Sequence, residues 1–310
     1  MKYNILVTGG SGFIGKNFIL ELIKKKNFNI YSLSQKKIKK KFQYKEIKYI
    51  FCKIQNKSQL KKELNFKLDF VVNFAGHSAH NEKKKTYDTH YLGLKNLAEI
   101  MLTKKIKKFI QIGSSVEYGF IKSPQKEEKE YDLNKLESTY GKSKLKSTNY
   151  LKKLYKKFNF PSLILRPYLV YGPGQNLNRL IPATIINCFK NNSFNSSSGK
   201  QVRNFIYVKD FSKIIYKCLF LRINEQILNV GSLRNYKVKF IINKINKLIN
   251  KGFPQYGQIK LRRDELLNLY PDLSKLNKYI KLNNQTTIED GLKKTISYFK
   301  NLNNEKNLPN

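Results

Sequence analysis

A glycine-rich segment near the N-terminus constrains the fold of this chain more than any other feature. It reads VTGGSGFIG over residues 7–15, after an apolar run and before an amphipathic stretch. Glycines at this spacing permit a tight turn, close approach of the backbone to a pyrophosphate, and close packing of a helix on a strand. The N-terminus of the following helix offers free N–H groups and a partial positive charge to phosphates. The segment therefore predicts a dinucleotide site. The predicted contacts come from Gly9, Gly12, Phe13, Ile14 and Gly15.

The first half of the chain alternates short apolar runs with amphipathic stretches, as expected for strands and helices in turn. The predicted strands are 4–8, 28–33, 47–52, 70–75, 109–113 and 162–166. The predicted helices are 12–25, 57–64, 87–103 and 139–158. This alternation predicts an α/β fold, a Rossmann-type doubly wound parallel sheet that binds its ligand at the carboxyl ends of the strands.

The pattern changes after Arg166, where prolines and glycines indicate a loop and shorter elements follow. We therefore expect two domains in the 310 residues. The first, over 1–166, would bind NAD or NADP. The second, over 167–310, would be a smaller C-terminal substrate-binding lobe that is interleaved with the first.

The end of the second predicted strand bears on the choice between NAD and NADP. An acidic residue here usually binds the ribose 2′-hydroxyl of NAD. This chain instead reads SLSQKK over residues 32–37, without an acid. Ser34 with Lys36 or Lys37 would suit a 2′-phosphate, but the two lysines are also explained by the general lysine excess. NADP is favoured, and both cofactors remain open.

A tyrosine and a lysine four residues apart, Tyr140 and Lys144, fall on the predicted helix 139–158 and share one of its faces. The Lys144 ammonium would stabilise the Tyr140 phenolate and lower the phenol pKa from its usual value of about 10. Tyr140 could then exchange a proton with a substrate oxygen while a nicotinamide exchanges a hydride. In so lysine-rich a chain this spacing alone could be an accident.

A second feature supports the pair. The segment QIGSSVEYG, residues 111–119, is a strand that runs into a loop with two serines. Ser114 would lie at the carboxyl end of a central strand, where its hydroxyl can bind the reacting oxygen. The alternative for Ser114 or Ser115 is a turn or cap serine. The serine loop, the Tyr140/Lys144 pair on its helix and the glycine turn together predict Ser114, Tyr140 and Lys144 as the catalytic set.

These motifs resemble those of the NAD-dependent epimerase/dehydratase family, the extended short-chain dehydrogenases, over nearly the whole chain. The matching segments are TGGSGFIG at 8–15, SSVEYG at 114–119, the Tyr140/Lys144 pair, LRPYLVYGPG at 165–174 and RNFIYVKD at 203–210. The resemblance implies an enzyme that binds a nucleotide-activated sugar and NADP or NAD, and a homodimer. It implies substrate contacts from Ser114, Ser115, Arg203 and Arg262, and cofactor contacts from Asn73, Ala75, Tyr140 and Lys144.

The chain departs from the family pattern at three positions. Lys53 stands where an acid contacts adenine, Asn73 stands where a histidine is usual, and His90 stands where an asparagine is expected. Whether His90 shares the proton path or is a structural histidine stays open at this point.

The resemblance also bears on the reaction. The family's 4,6-dehydratases carry Thr-Asp-Glu where this chain has Ser114, Ser115 and Val116, which argues against dehydration. The reaction that remains is hydride transfer at sugar C4. A 4-keto-6-deoxysugar reductase is favoured, because the acidic residue that would bind the ribose of NAD is missing. The alternatives are a UDP-glucose 4-epimerase-like enzyme and a non-catalytic NADP-binding or RNA-associated protein of the same fold.

The net charge of +40 raises the question of a nucleic-acid partner. The lysines are spread over the whole chain, and the residues of A/T-rich codons are abundant together, so we attribute the charge to compositional bias. No window approaches the roughly 18 apolar residues of a membrane span, and no secretory signal is evident. The three cysteines lack metal-site spacing. We expect a cytoplasmic protein without a metal.

Overall fold

The computed structural model describes residues 2–40, 43–77, 81–128, 132–261 and 265–304. Its contacts divide the chain into two units. The first unit comprises Met1–Ile121, Glu127–Pro167 and Ser212–Asn229. The second comprises Lys122–Lys126, Tyr168–Phe211 and Val230–Asn310. The chain thus enters the second unit at 122–126 and again after Pro167, and it returns to the first unit over 212–229, which contributes to strand β10 of the main sheet. The domain boundary at residue 166 stays a prediction.

The first unit is built on a seven-stranded sheet. Its strands, numbered in chain order, are β1 (Tyr3–Thr8), β2 (Phe28–Ser34), β3 (Ile47–Phe51), β4 (Phe70–Asn73), β5 (Lys108–Ile112), β6 (Ser162–Pro167) and β10 (Gln226–Val230). They lie in the order β10-β6-β5-β4-β1-β2-β3. The pairs from β3 through β6 are parallel. The order reverses between β1 and β4, so a ligand crevice is expected at the carboxyl ends of these strands. The predicted doubly wound fold is confirmed.

Helices accompany the strands of this sheet. They are α1 (Phe13–Lys25), α2 (Lys57–Glu63), α3 (Lys83–Tyr87), α4 (Gly93–Leu102), α5 (Thr139–Phe158) and α7 (Val208–Cys218), of which α7 begins in the second unit. Buried apolar side chains of strands and helices form one core. Examples are Leu6, Val71 and Ile164 from the strands and Leu60, Leu97 and Leu151 from the helices.

The prediction of a single helix over 87–103 is wrong. The structure has α3, then a π-helical turn over Asp88–Leu92, then α4. The Gly93 amide donates to the Asp88 carbonyl, five residues earlier, which widens the turn. The widened turn carries His90, a buried side chain.

The second unit contains two small sheets. One is formed by β7 (Leu169–Tyr171), β9 (Val202–Tyr207), β11 (Asn235–Lys237) and β13 (Asn268–Leu269), and the other by β8 (Ser193–Asn195) and β12 (Phe253–Gln255). Its helices are α6 (Leu180–Phe189), α8 (Val238–Ile249), α9 (Ser274–Tyr279) and α10 (Ile288–Asn304). In the described part of the chain, no helix combines the length and apolar character that a membrane crossing requires.

Candidate active site

The glycine turn follows β1 at the point where the strand order reverses. Gly9 has a φ of +66°, a left-handed conformation that favours glycine. Its amide donates to the Leu33 carbonyl at 2.8 Å, and the Gly12 amide donates back to the Gly9 carbonyl at 3.0 Å. The chain therefore turns tightly from β1 into α1.

The N-terminus of α1 is suited to an anion. Among the described residues no side chain caps the helix at Gly12, and the first turn contains no acid. Its N–H groups and positive dipole end can therefore serve phosphates. Gly15 lies so close to the turn that a Cβ there would be 2.4 Å from the Gly9 carbonyl oxygen. Phe13 and Ile14, half-buried at the start of α1, flank this position.

Replacing Gly15 with Ala is expected to weaken dinucleotide binding about tenfold, because overpacking costs about 1–3 kcal/mol and the new methyl group displaces the turn. Calorimetric titration with NADPH and NADH checks the result. Gly93→Ala is the matched control, since its Cβ would meet Ile54 at 2.5 Å, away from the turn. That variant should lose thermal stability but keep cofactor affinity. Wild-type affinity in Gly15→Ala would contradict the assignment.

The end of β2 presents hydroxyls to the same region. Ser34 is 4% exposed, and its Oγ has no hydrogen-bond partner among the described residues. An unpaired buried hydroxyl is unfavourable unless a ligand satisfies it. The next residues, including Lys36 and Lys37, are exposed. A ribose, or its 2′-phosphate, fits this set of donors.

Asn73, at the end of β4, is buried and joins three strands. Its Oδ1 accepts from the Thr8 hydroxyl and from the Ala75 amide, the latter at 3.2 Å. Its Nδ2 donates to Gln111 Oε1 at 2.7 Å. The structure therefore shows a link between the carboxyl ends of β1, β4 and β5. Contact of Asn73 or Ala75 with a cofactor stays a prediction.

The predicted serine loop leaves β5 at the same edge of the sheet. Ser114, half-buried, is the N-cap of a 3-10 turn over Ser115–Tyr118, and its side chain accepts from the Val116 amide at 3.4 Å. Ser115 is buried at 6% exposure. The cap role considered for Ser114 from the sequence is thus present. Contact of the Ser114 hydroxyl with a substrate oxygen stays a prediction.

Tyr140 and Lys144 lie one turn apart on α5, as predicted. Lys144 is buried, and its Nζ donates to the Ile112 carbonyl at the end of β5 at 2.6 Å. The same Nζ lies 5.8 Å from the centre of the half-buried Tyr140 ring. Burial lowers the pKa of Lys144 to about 8, and the nearby Glu117 carboxylate acts against this shift. The pair lies at the sheet edge that carries the glycine turn.

His90 packs against this pair. Its ring meets the Tyr140 ring edge to face, with centroids 5.0 Å apart and an interplanar angle of 74°. Its Nε2 accepts from the His77 amide at 3.2 Å, and its carbonyl accepts from the Ser147 hydroxyl of α5 at 2.8 Å. The imidazole thus lies beside the phenol, and a part for His90 in the proton path stays a prediction.

One of the two predicted substrate arginines, Arg203, belongs to the second unit. Arg203, on β9, is buried, and its Nη2 forms an ion pair with Glu265 at 2.7 Å. Its Nη1 donates to the carbonyls of Val202 and Leu267. Arg262 lies outside the described residues. Contacts of these arginines with substrate stay predictions.

Sequence reasoning missed one residue of the first unit. Glu117 is buried beneath the serine loop, with Arg166 as its ion-pair partner. The available signal was one charged residue, Glu117 or Arg166, in each of two apolar segments. No pattern in the sequence showed that these two residues contact each other.

A sequence model of the NAD-dependent epimerase/dehydratase family matches residues 5–231. Among curated relatives, a dTDP-D-glucose 4,6-dehydratase of Dictyostelium discoideum is 27% identical over 79% of this chain and 61% of its own length. The chain thus spans about three fifths of that protein. A putative UDP-glucose 4-epimerase of Methanocaldococcus jannaschii is 27% identical over 96% of this chain and 99% of its own. A dTDP-4-dehydro-6-deoxyglucose reductase of Escherichia coli is 29% identical over 81% and 83%.

Solved structures show the same fold. The UDP-glucose 4-epimerase of Thermotoga maritima, solved with UDP-glucose, superposes with a TM-score of 0.87 at 21% identity and covers 96% of this chain and 99% of its own. The dTDP-glucose 4,6-dehydratase of Bacillus anthracis, solved with NAD, superposes with a TM-score of 0.84 at 23% identity over 96% and 97%.

Proposed function

The chain belongs to the NAD-dependent epimerase/dehydratase family, and from that premise we propose that it reduces a 4-keto-6-deoxysugar carried on a nucleotide. The observation that carries this proposal is the placement of Lys144, which is bound to the carbonyl at the end of β5 and one helical turn from Tyr140. This arrangement supports roles for Tyr140 as the proton donor and for Lys144 as its supporting cation, at the sheet edge of the glycine turn.

The proposed reaction converts a C4 carbonyl into a secondary alcohol. Hydride donation to the C4 carbon is the chemistry that a nicotinamide supplies when bound. The carbonyl oxygen takes its proton from the Tyr140 hydroxyl, and the Lys144 ammonium stabilises the phenolate that remains. The Ser114 hydroxyl donates a hydrogen bond to the same oxygen, which polarises the carbonyl. Solvent then returns a proton to Tyr140.

The described residues fit a dinucleotide. The glycine turn and the N-terminus of α1 would hold the pyrophosphate, and Ser34 would bind the adenosine ribose or its phosphate. The missing acid at the end of β2 supports NADP over NAD.

Reduction is favoured over dehydration because Ser115 and Val116 stand where the family's dehydratases carry an acid pair. Epimerisation is the second candidate, because the archaeal and Thermotoga maritima relatives are described as 4-epimerases. An epimerase keeps its NAD and shows no net change in cofactor, whereas a reductase consumes NADPH.

The deciding experiment combines two measurements on the purified protein. Mass spectrometry of co-purifying ligands identifies the cofactor and any nucleotide sugar. Loss of NADPH absorbance is then followed with 4-keto-6-deoxy sugars on dTDP, GDP, UDP and CDP. Stoichiometric NADPH consumption with one of them supports the proposal. Retained NAD with interconversion of sugar epimers and no consumption would replace it with the epimerase.

The choice of NADP predicts a role for two exposed lysines. Replacing Lys36 and Lys37 together with Ala should raise the KM for NADPH about tenfold, since each exposed charge contributes up to about 1 kcal/mol. The KM for NADH should not change. Replacing Lys39 and Lys40, which are also exposed, removes the same charge farther along and is the matched control. If both double variants raised the KM for NADPH equally, the overall positive charge of the protein would explain the change, and Lys36 and Lys37 would have no specific role.

A further inference from the structure

A buried carboxylate connects the serine loop to the helix of the catalytic pair. Glu117 Oε1 accepts from the Ser114 amide at 2.8 Å. Its Oε2 accepts from the Thr148 hydroxyl of α5 at 2.6 Å and from Arg166 Nε and Nη2 of β6 at 3.1 and 2.9 Å. One side chain thus joins three elements that meet beneath the site.

The surroundings of Glu117 are shaped for it. A Cβ on Gly113 would lie 2.5 Å from Glu117 Oε1 and 3.3 Å from Arg166 Cγ, so this glycine leaves room for the ion pair. The Arg166 guanidinium lies 4.4 Å from the centre of the Tyr118 ring. Although burial opposes its charge, the neighbouring Glu117 raises the pKa of Arg166. Arg166 therefore keeps its charge and holds the carboxylate in place.

Stability alone does not explain a buried ion pair, because apolar side chains of similar volume often serve as well. The contacts of Glu117 point to a second role. Thr148 is one helical turn beyond Lys144 on α5, so Glu117 binds the same face of the helix. The carboxylate also acts electrostatically on Lys144, whose Nζ lies 5.8 Å from the centre of the Tyr140 ring. Of the other titratable groups nearby, Arg166 on β6 contacts Glu117, and His90 on the π-helical turn contacts Tyr140.

We propose that Glu117, held by Arg166, is a positioning residue that fixes the Ser114 backbone against the face of α5 that carries Lys144. This inference rests on the proposed function, in which Ser114, Tyr140 and Lys144 act on the substrate oxygen. Glu117 itself touches neither substrate nor cofactor. It acts through the loop and the ammonium.

The test is Glu117→Gln, which keeps the shape and removes the charge. The alkaline limb of kcat/KM should move to lower pH by about one unit, because the lost carboxylate no longer favours the ammonium. Thr148→Val removes one hydrogen bond but keeps the carboxylate, and its alkaline limb should stay at the wild-type position. An unchanged limb in Glu117→Gln would overturn the inference even if kcat falls.

A second measurement separates this inference from the proposed function. In protein labelled with ¹³C at lysine Cε, the Lys144 resonance is the one missing from Lys144→Met, and its titration needs no turnover. Its midpoint should fall in Glu117→Gln by the same amount as the kinetic limb. If that variant does not fold, Glu117→Gln with Arg166→Met leaves no unpaired charge and should show a lower midpoint too. A wild-type midpoint in the folded variant would refute the role of Glu117, whereas an inactive wild-type enzyme would refute the proposed function alone.

Discussion

Replacing Tyr140 with Phe is expected to lower kcat about a thousandfold or more and to leave the Kd for NADPH within about twofold of the wild type. The phenol hydroxyl is the proposed proton donor, and phenylalanine removes only that oxygen. The ring contact with His90, at 5.0 Å, should survive the change. Turnover is measured by NADPH consumption with the 4-keto sugar, and binding by calorimetric titration.

The control for this variant lies on the same helix. Tyr150 also carries its hydroxyl on α5, where it donates to Glu99 Oε1 at 3.0 Å. Tyr150→Phe should lose that hydrogen bond and keep most of the turnover. If Tyr140→Phe retained wild-type turnover, Tyr140 would not be the proton donor. If a cellular phenotype of the protein did not respond to Tyr140→Phe, the non-catalytic NADP-binding or RNA-associated alternative would be favoured. Salt-sensitive RNA binding would then be the next measurement.

Replacing Lys144 with Met should lower kcat about a hundredfold or more and remove the alkaline limb of the pH profile. Methionine fills the buried volume without the ammonium that stabilises the phenolate. In the wild-type enzyme burial lowers the pKa of Lys144 to about 8. The ammonium is therefore present below pH 8 and is lost as the pH rises through that value, so kcat/KM should fall there.

The pH profile of kcat/KM, followed from pH 6 to 10, checks this expectation. Lys142→Met is the matched control, because it removes a lysine from the same helix two residues away and should leave both kcat and the alkaline limb unchanged. An alkaline limb near pH 8 that persists in Lys144→Met would show that another group titrates there.

The local parts of the structure could be predicted because they depend on residues close in sequence. The glycine turn needs only the backbone freedom of Gly9 and the close approach of Gly15, and the helix that carries Tyr140 has the predicted bounds. The interrupted helix around His90 could not be predicted. Its π-helical turn has no distinct periodicity over five residues and is stabilised by packing.

The glycine turn, the alternation of strands and helices, and the spacing of Tyr140 and Lys144 were determined by the sequence itself, since each is set by neighbouring residues and one helical or strand period. Tertiary structure alone decided the pairing of Glu117 with Arg166, 49 residues apart, and of Arg203 with Glu265, 62 residues apart. It also gave Asn73, at the end of β4, its links to β1 and β5. Which side chains become partners depends on which strand ends meet at one edge of a sheet. No short-range pattern in the sequence indicates that arrangement.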